Sequence, residues 1–398
     1  MTMALTLKTR RKFWLKIHLW LGLVLGLFAS IFGITGSVLV FYAEIDELLN
    51  PNLLTVSVPP DHQGYKPLAV IIDNGILAMP PPAKHVFTTY PRNQQATVQL
   101  RFVQPLTSGD VERWQVAVDP YTAQVTGRRL MGTANGLFPK TFIGLMFELH
   151  YALLLKQGFS NLIVGSMGAL LIISTLTGLI LWWPFTGKWL QALSIKRQTS
   201  IERLNFDIHK TVGFYSTLVL LPVLFSGVYM VVPKHVVPVI ELFSPVTYRY
   251  WFNSTPSKDT TPLPMAKAVA IAEQRYPSGR LDTIYGIHDP SSTYTVCKDD
   301  VQEVGSFLHR RCIVMDQYSG KILDDDNPVT GTAGETFTHW QMPLHAGKPF
   351  GWTGRILVFL SGLACPVLFV TGVVRWLQKL RAKAQHQLKQ YAATACRD

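Results

Sequence analysis

Four long apolar runs limit how this chain can fold more than any other feature of its sequence. They are Ile17–Ala43, Gln157–Gly187, Thr211–Pro233 and Ile356–Val374, and none contains Asp, Glu, Lys or Arg. A helix needs about 17–25 apolar residues to cross the hydrocarbon core of a bilayer, so we predict four transmembrane helices. The first run is too long for the apolar region of a signal peptide and lacks a good cleavage site, so we expect it to remain as an anchor.

Basic residues are distributed unevenly around these runs, and their positions predict the topology. The net charge of +12, from 37 Lys and Arg against 25 Asp and Glu, would suggest a nucleic-acid partner in a soluble protein. Here the cations cluster before the first run, between the second and third runs, and after the fourth. By the positive-inside rule, both termini and the loop between spans 2 and 3 lie in the cytoplasm. We therefore predict a membrane as the partner, and no nucleic acid.

This topology divides the chain into eight segments. They are 1–43 (cytoplasmic N-terminus and span 1), 44–140 (outer domain 1), 141–187 (outer-face helix and span 2), 188–208 (cytoplasmic loop), 209–233 (span 3), 234–350 (outer domain 2), 351–376 (span 4) and 377–398 (cytoplasmic tail).

The two outer segments follow one plan of helices and strands. We predict helices at Lys66–Asn74, Thr141–Leu155 and Leu263–Arg275, and strands at Ala96–Val103, Arg113–Val118, Thr293–Cys297 and Phe307–Met315. Each segment also contains an Asp-x-Tyr-[Thr/Ser] turn, which begins at Asp119 in the first and at Asp316 in the second. Pairing of the last two strands would bring Cys297 close to Cys312, although spacing alone does not prove a disulfide.

The repetition extends into the membrane. A histidine is followed by glycines at +4 and +18 in span 1 (His18, Gly22, Gly36) and in span 3 (His209, Gly213, Gly227). A Thr-Phe pair precedes a Leu-His pair at equal spacing before span 2 (His150) and before span 4 (His345), and Thr177-Gly178 and Thr371-Gly372 lie at nearly equal depth inside those spans. Several matches at fixed spacing indicate an internal duplication. The predicted fold is therefore a membrane α+β protein with four transmembrane helices.

The predicted topology sorts the four repeated histidines into two levels. His18 and His209 lie at the cytoplasmic face, and His150 and His345 lie at the outer face. A pseudo-twofold axis along the membrane normal would set the two members of each level opposite each other, as axial ligands of one haem iron. Gly22 and Gly213 lie one turn deeper on the same helix faces, where a missing side chain lets a flat macrocycle approach; the alternative is that these glycines only allow close helix packing.

The other histidines have weaker functional signals. His235 and His339 lie near the outer edge and are candidates for contact with substrate or haem propionates. We expect ordinary surface or hydrogen-bonded side chains at His62, His85, His288, His309 and His386. The sequence has no zinc-type spacing, no Walker A or dinucleotide motif and no Gly-x-Ser-x-Gly, and Cys365 has no evident base.

Together, the repeated His-x-x-x-Gly, the Asp-x-Tyr turn and the Leu-His pair resemble those of the PepSY-associated transmembrane proteins, over roughly Arg11 to Trp376. In particular, the chain looks like the iron-regulated inner-membrane branch of that family, which includes ferrioxamine-type siderophore reductases. The resemblance implies two PepSY-like periplasmic domains on a four-helix core in the bacterial inner membrane. It also implies two b-type haems with His18, His209, His150 and His345 as ligands, and reduction of a ferric siderophore of the hydroxamate type.

Several functional questions stay open at this level. The electron donor is a quinol or a separate cytoplasmic reductase, because the chain has no flavin or nicotinamide motif. Trp340, Phe350 and Trp352 are candidates for an outer aromatic platform, which a membrane-interface belt would explain equally well. The alternative to an enzyme is a membrane module whose PepSY-like domains bind or regulate a periplasmic partner. Transport is less favoured, because the four spans contain neither a broken helix nor an acidic residue.

Overall fold

The computed structural model describes residues 7–60, 64–136, 138–155, 159–185, 187–196, 198–247, 252–256, 261–302, 310–325, 327 and 330–395. The chain forms two compact units. The helical unit contains residues 1–40, 149–236 and 341–398, and the sheet unit contains residues 41–148 and 237–340.

Twelve helices are formed in the part of the chain that the structure describes. They are α1 (Leu7–Val40), α2 (Tyr42–Leu49), α3 (Pro51–Leu54), α4 (Leu68–Leu77), α5 (Phe142–Ala152), α6 (Phe159–Trp182), α7 (Trp189–Leu193), α8 (Ile201–Val231), α9 (Pro233–Glu241), α10 (Met265–Arg275), α11 (Ala333–His345) and α12 (Gly351–Ala395). Eight strands accompany them: β1 (Lys84–Thr89), β2 (Val98–Pro105), β3 (Val111–Val118), β4 (Val125–Thr133), β5 (Arg280–Tyr285), β6 (Thr293–Asp299), β7 (Arg311–Asp316) and β8 (Ile322–Asp325).

Four helical segments are long and apolar enough to cross a membrane, which agrees with the predicted number. They are Thr9–Val40, Phe159–Trp182, Ile201–Val231 and Lys348–Gln390. Three of the helices extend well beyond the apolar runs, because hydrogen bonding and capping, rather than apolarity, set where a helix ends. Helix α8, for example, begins inside the polar loop, where the Ser200 hydroxyl accepts a hydrogen bond from the Arg203 N–H.

Small residues bring the long helices close together. A Cβ added at Gly33 of α1 would lie 2.3 Å from the carbonyl oxygen of Gly362 in α12, and one added at Gly362 would lie 2.5 Å from the carbonyl oxygen of Gly33. The Ser37 hydroxyl donates to the Phe359 carbonyl, 2.8 Å away, at the same crossing. Helices α1 and α12 are therefore in backbone contact, as membrane helices with small interface residues often are.

The buried carboxylate of Asp207 stabilises the start of α8 and the loop that precedes it. Asp207 is 1% exposed and forms ion pairs with Arg203 and Lys210, each at 3.1 Å. Lys210 also donates to the carbonyls of Gln191 and Ser194, at 2.6 and 3.2 Å. Because a buried carboxylate is stable only when it is paired, these contacts fix the first turns of α8, where His209 lies.

The eight strands form one antiparallel sheet in the order β4-β3-β2-β1-β5-β6-β7-β8. The sequence suggests two outer domains, and the structure joins their strands in a single sheet through β1 and β5, with Thr88 paired to Ile284. This pairing removes an exposed edge from each group of four strands. Neither central strand was predicted, because both are short and contain charged or polar residues.

Each half of the sheet has its own hydrophobic core. Helix α4 contributes Ile71 and Ile72 to the first core, where they meet Leu100 of β2 and Val116 of β3. Helix α10 contributes alanines to the second, with Ile284, Val296 and Ile313 from the strands. The predicted helix at Leu263–Arg275 is confirmed as α10, with a slightly later start.

The Asp-x-Tyr motif forms the same turn twice. The Asp119 carboxylate accepts a hydrogen bond from the Tyr121 N–H at 2.8 Å, and the Asp316 carboxylate accepts one from the Tyr318 N–H at 3.0 Å. This is the arrangement in which an aspartate side chain caps a turn.

Cysteines join the last strand pair predicted from the sequence. Cys297 of β6 lies directly opposite Cys312 of β7, and the two form a disulfide. The start of the predicted strand Phe307–Met315 lies outside the described residues, and β7 begins at Arg311.

Candidate functional site

The four predicted histidines form two pairs in the helical unit. His18 of α1 and His209 of α8 have ring centroids 6.2 Å apart, with an angle of 77° between the ring planes. His150 of α5 and His345 of α11 have centroids 5.9 Å apart and an angle of 63°. We call these the first pair and the second pair. The partners are those that the repeat in the sequence predicts, while the role of the four rings as haem ligands stays a prediction.

Each imidazole is held through Nδ1 by a neighbouring helix. For His18 the partners are the Ser174 carbonyl at 2.9 Å and the Thr177 hydroxyl at 3.3 Å. For His209 the partners are the Thr371 hydroxyl at 2.9 Å and the backbone of Leu368.

The second pair follows the same pattern. His150 contacts the Phe32 carbonyl at 3.0 Å and the Thr35 hydroxyl at 3.1 Å. His345 contacts the Val223 carbonyl at 2.9 Å and the Ser226 hydroxyl at 3.0 Å.

These contacts set the tautomer of the rings. A carbonyl oxygen can only accept, so Nδ1 must carry the proton wherever it bonds a carbonyl. The Thr371 hydroxyl donates its own proton to the Val367 carbonyl at 2.6 Å, so its oxygen also accepts from His209. All four rings therefore keep an unprotonated Nε2, which is the form that binds a metal ion.

A glycine lies against every one of these rings. A Cβ added at Gly178 would lie 2.9 Å from Cε1 of His18, and one at Gly372 would lie 3.4 Å from Cε1 of His209. The corresponding distances are 2.8 Å for Gly36 against His150 and 3.2 Å for Gly227 against His345. The glycines at +18 and in the Thr-Gly pairs therefore make room for an imidazole from another helix.

Gly22 and Gly213 have different surroundings. A Cβ added at Gly22 would meet no atom within 4 Å, and one at Gly213 would meet only Leu368, at 3.5 Å. Neither glycine is therefore required for the helix packing described around it.

The geometry of both pairs fits a haem iron. An imidazole nitrogen binds a transition metal at about 2.0–2.1 Å, so two rings on opposite sides of one iron have centroids about 6 Å apart. Within the described residues, no group of three or more His, Cys, Asp and Glu side chains could hold a metal ion. Two imidazoles that face each other are the axial ligand set of a bis-histidine haem, so the residues of each pair are chemically suited to hold one.

The two pairs lie at different depths along the same helices. On α1, the Phe32 carbonyl that binds His150 is 14 residues after His18, which corresponds to about 21 Å of helix rise. On α8, the Val223 carbonyl that binds His345 is likewise 14 residues after His209. The first and second pairs are therefore separated by most of the thickness of a bilayer core, which is about 30 Å.

The hydroxyls that hold the rings were missed as functional residues. They belong to Thr35, Thr177, Ser226 and Thr371, and all four side chains are at most 8% exposed. The repeated Thr177-Gly178 and Thr371-Gly372 pairs were a usable signal, because a hydroxyl followed by a glycine is what each ring needs from the facing helix. The spacing alone does not show which histidine each Thr-Gly pair contacts.

The remaining histidines lie elsewhere. His235, His288 and His386 are exposed, and His339 is partly buried in α11. His85 lies in the sheet unit, where its Nε2 is 2.9 Å from the Thr88 hydroxyl. His62 and His309 lie outside the described residues.

The predicted aromatic platform is exposed only in part. Phe350 and Trp352 of the helical unit are 61% and 64% exposed, and the Arg355 guanidinium lies 4.9 Å from the centre of the Trp352 ring. Arg355 also donates to the Val40 carbonyl at 2.8 Å. Trp340 belongs to the sheet unit and is partly buried.

A pocket of about 490 Å³ lies in the sheet unit, within the range of small-molecule sites. Its polar lining residues are Tyr65, Tyr90, Asn93, Gln94, Glu273 and Arg280. Burial and the neighbouring Tyr121 raise the pKa of Tyr65 to about 12, so this phenol stays neutral. The sequence did not predict this pocket, because its lining comes from distant segments that only the joined sheet brings together.

The fold and the two histidine pairs define a membrane protein with four apolar helices and an antiparallel sheet. A family model for the PepSY-associated TM region matches residues 15–379. The chain therefore belongs to the PepSY-associated transmembrane family, as the motifs in its sequence predict. No curated protein matches the chain significantly.

Proposed function

We propose that this protein is a dihaem oxidoreductase of the bacterial inner membrane that carries electrons to the periplasmic side and reduces ferric siderophores there. The single observation that supports it is the recurrence of one imidazole arrangement at two depths. In both pairs the rings are about 6 Å apart, are held through Nδ1 and keep Nε2 unprotonated. One such pair would bind a single redox centre, whereas two at different depths make a path across the membrane.

The residues of the chain have defined roles in this proposal. His18 and His209 hold one haem at the cytoplasmic face, and His150 and His345 hold the other at the outer face. A haem bound by two histidines would supply an iron ion that accepts and donates one electron at a time. The hydroxyls and carbonyls orient the imidazoles, and the glycines admit them to the helix interface.

The overall reaction is a one-electron reduction. Each electron converts one Fe(III) held by a hydroxamate siderophore to Fe(II). A quinol, which is oxidised to a quinone and gives up two electrons and two protons, would reduce two such ions; a cytoplasmic reductase is the other possible donor. Hydroxamate oxygens are hard ligands that hold Fe(II) less tightly, so the iron is released. The internal duplication, the periplasmic position of two PepSY-like domains and the cytoplasmic termini are parts of the same proposal, supported by the repeated motifs and the positive-inside rule.

A haem count of the full-length, detergent-purified protein tests the ligand assignment. We expect two b-type haems per chain in the pyridine haemochrome assay. We expect one in His18→Ala/His209→Ala, and one in His150→Ala/His345→Ala, because each double substitution removes both ligands of one centre. His386→Ala is the matched control, since His386 is exposed on α12, and it should retain both haems. Two haems in either double variant would refute the assignment.

A second measurement tests the substrate. The haem-loaded protein is reduced with dithionite, freed of excess reductant and mixed with a ferric trihydroxamate under argon, with a coloured Fe(II) chelator present. We expect the reduced haem band to decay as the Fe(II) complex forms, with one Fe(II) per electron lost. Haems that stay reduced in the presence of the ferric chelate would exclude this substrate class.

The pocket in the sheet unit favours one other function, a module that binds a periplasmic ligand without redox chemistry. In that case the double histidine variants would retain the cellular function of the protein. Their growth on a ferric siderophore as the sole iron source, compared with His386→Ala, separates the two functions.

A further inference from the structure

The pocket in the sheet unit lies where the two halves of the sheet meet. Ala266, Val269 and Glu273 line it from one face of α10, three and four residues apart. Tyr90 contributes from the end of β1 and Arg280 from the start of β5, and these are the strands that join the two halves. The volume of about 490 Å³ is enough for a small organic molecule.

The guanidinium of Arg280 is already satisfied within the protein. It donates to the carbonyls of Pro91 and Leu281, at 3.0 and 3.3 Å. It also pairs with the Asp299 carboxylate at 3.4 Å. An anionic ligand would have to compete with these partners, so Arg280 does not favour one.

The Glu273 carboxylate, in contrast, is not compensated by a neighbour. Its side chain is exposed and lines the pocket, and it makes neither a hydrogen bond nor an ion pair with the residues that the structure describes. A charge that lines a concave site attracts ligands of the opposite sign. The charge balance of the pocket therefore favours a cation.

Two tyrosine rings in the lining suit the same kind of ligand. The ring centroids of Tyr65 and Tyr90 are 5.9 Å apart, with an angle of 65° between the ring planes. Burial raises the pKa of Tyr65 to about 12, and burial together with the Glu273 charge raises the pKa of Tyr90. Both phenols are therefore neutral, and the face of a neutral aromatic ring attracts a cation.

We propose that this pocket binds the primary ammonium group of an organic cation, with the Glu273 carboxylate as its ion-pair partner and the rings of Tyr65 and Tyr90 as cation–π partners. The apolar side chain of Val269, on the same face of α10, contacts the carbon chain of the ligand. A primary ammonium group can also donate to the amide oxygen of Gln94 in the same lining, which a quaternary ammonium group cannot do.

An ammonium group of this kind has two sources. One is a terminal amine on a ferric hydroxamate, in which case the pocket recruits the substrate of the proposed function and this part of the inference rests on that function. The other is a free alkyl diamine, whose binding does not depend on the proposed function. The shared chemistry is an ammonium group on a carbon chain, and the probes below distinguish the sources.

Titration calorimetry of the full-length, oxidised protein in detergent tests the site. The probes are a linear ferric trihydroxamate with a terminal primary amine, its neutral N-acetyl form, its anionic N-succinyl form, and 1,5-diaminopentane. We expect the amine form to bind about fivefold more tightly than the N-acetyl form, which is the upper range for an exposed ion pair. Glu273→Gln should abolish this preference. Asp73→Asn is the matched control and should retain it, because Asp73 is an exposed carboxylate on α4 outside the pocket lining.

A second pair of variants tests the aromatic contact. Tyr90→Leu should weaken binding of the amine form about threefold, whereas Tyr90→Phe keeps the ring and should bind it as the wild type does. The melting temperature of each variant shows whether the sheet unit is folded.

The outcomes separate the inference from the proposed function. Binding of the diamine alone, lost in Glu273→Gln, supports the ammonium site and overturns its role for the chelate. A preference for the amine form that persists in Glu273→Gln, tightest binding of the N-succinyl form, or no binding of either amine overturns the inference. Glu273-dependent binding of the amine form by a protein that does not reduce the iron supports the inference and refutes only the proposed function.

Discussion

Each of the four histidines meets the same kind of setting on a neighbouring helix: a hydroxyl that contacts Nδ1 and a glycine one residue later that admits the ring. Thr35 and Gly36 supply it for His150, and Thr371 and Gly372 supply it for His209. An imidazole inside a membrane protein is costly unless it is hydrogen-bonded. The hydroxyl meets that requirement and leaves one ring nitrogen available, so the same contacts stabilise the fold and prepare the site.

His85, in the sheet unit, makes the stability of the folded protein depend on pH. Burial, opposed in part by a backbone hydrogen bond to Phe87 and reinforced by the nearby His288, lowers the pKa of His85 to about 4. The unfolded chain, with a histidine pKa of about 6.5, binds a proton that the folded chain does not bind between these values. Stability from this group is therefore complete above about pH 6.5 and is lost as the pH falls toward 4.

We predict that thermal unfolding of the sheet unit, measured in the full-length protein, loses on the order of 2–3 kcal/mol between about pH 6.5 and pH 4 through His85. His85→Gln should remove most of this dependence, because the amide remains neutral and can still contact Thr88. His386→Gln is the control, since His386 is exposed and belongs to the helical unit. An identical pH profile in His85→Gln and in the wild type would contradict the prediction.

At the scale of elements, the crossing of α1 and α12 holds the helical unit together at backbone distance. Gly33 and Gly362 face each other there, while Gly22 of the same helix faces open space. A membrane helix pair gains little from burial of apolar surface and depends on close packing and hydrogen bonds. A single methyl group at the crossing should therefore separate the helices.

We predict that Gly33→Ala destabilises the haem-free protein by about 1–3 kcal/mol, because the added Cβ overlaps the Gly362 carbonyl and the helices must move apart. Gly22→Ala, on the same helix, should leave stability unchanged or slightly higher. Thermal unfolding in detergent, followed by exposure of Cys365 to a thiol reagent, measures both, since Cys365 lies beside Gly33. Equal melting temperatures for the two variants would show that the crossing is not close packed.

For the whole molecule, the disulfide and the distribution of the cations both support the proposed orientation. Cys297 and Cys312 belong to the sheet unit, and disulfides persist in oxidising compartments such as the periplasm. The clusters of Lys and Arg lie in segments on the other side of the predicted spans. The proposed orientation, with the sheet unit in the periplasm, agrees with both features.

We predict that Cys297 and Cys312 are oxidised in protein taken directly from cells under acid quench, while Cys365 and Cys396 are reduced. Differential alkylation followed by mass spectrometry distinguishes the four. Replacement of both disulfide cysteines by alanine should destabilise the sheet unit by about 3 kcal/mol, the value typical of a loop of this size. Recovery of Cys297 and Cys312 as free thiols from quenched cells would reverse the proposed orientation.

Composition and local spacing were enough to predict the four apolar spans, the two turns and the four repeated histidines. Charge-free runs longer than a bilayer is thick gave the four spans, the Asp-x-Tyr motif gave both turns, and the repeated His, Gly and Leu-His positions identified the four histidines. Each of these depends on residues a few positions apart, or on comparison of one segment with another. The family membership followed from the same motifs.

Many contacts between groups far apart in the chain depend on how the helices and strands pack, and the sequence did not reveal them. The Ser174 carbonyl that holds His18 is 156 residues away, and β1 and β5 join the two sets of strands into one sheet. Repeated spacing shows that a hydroxyl-glycine pair recurs, but not which ring it faces, because that depends on how the helices cross. Glycines that looked alike in the sequence have different roles in the structure. Some make room for an imidazole, some allow two helices to touch, and Gly22 borders open space. The role of each glycine depends on the atoms that a side chain at its position would meet.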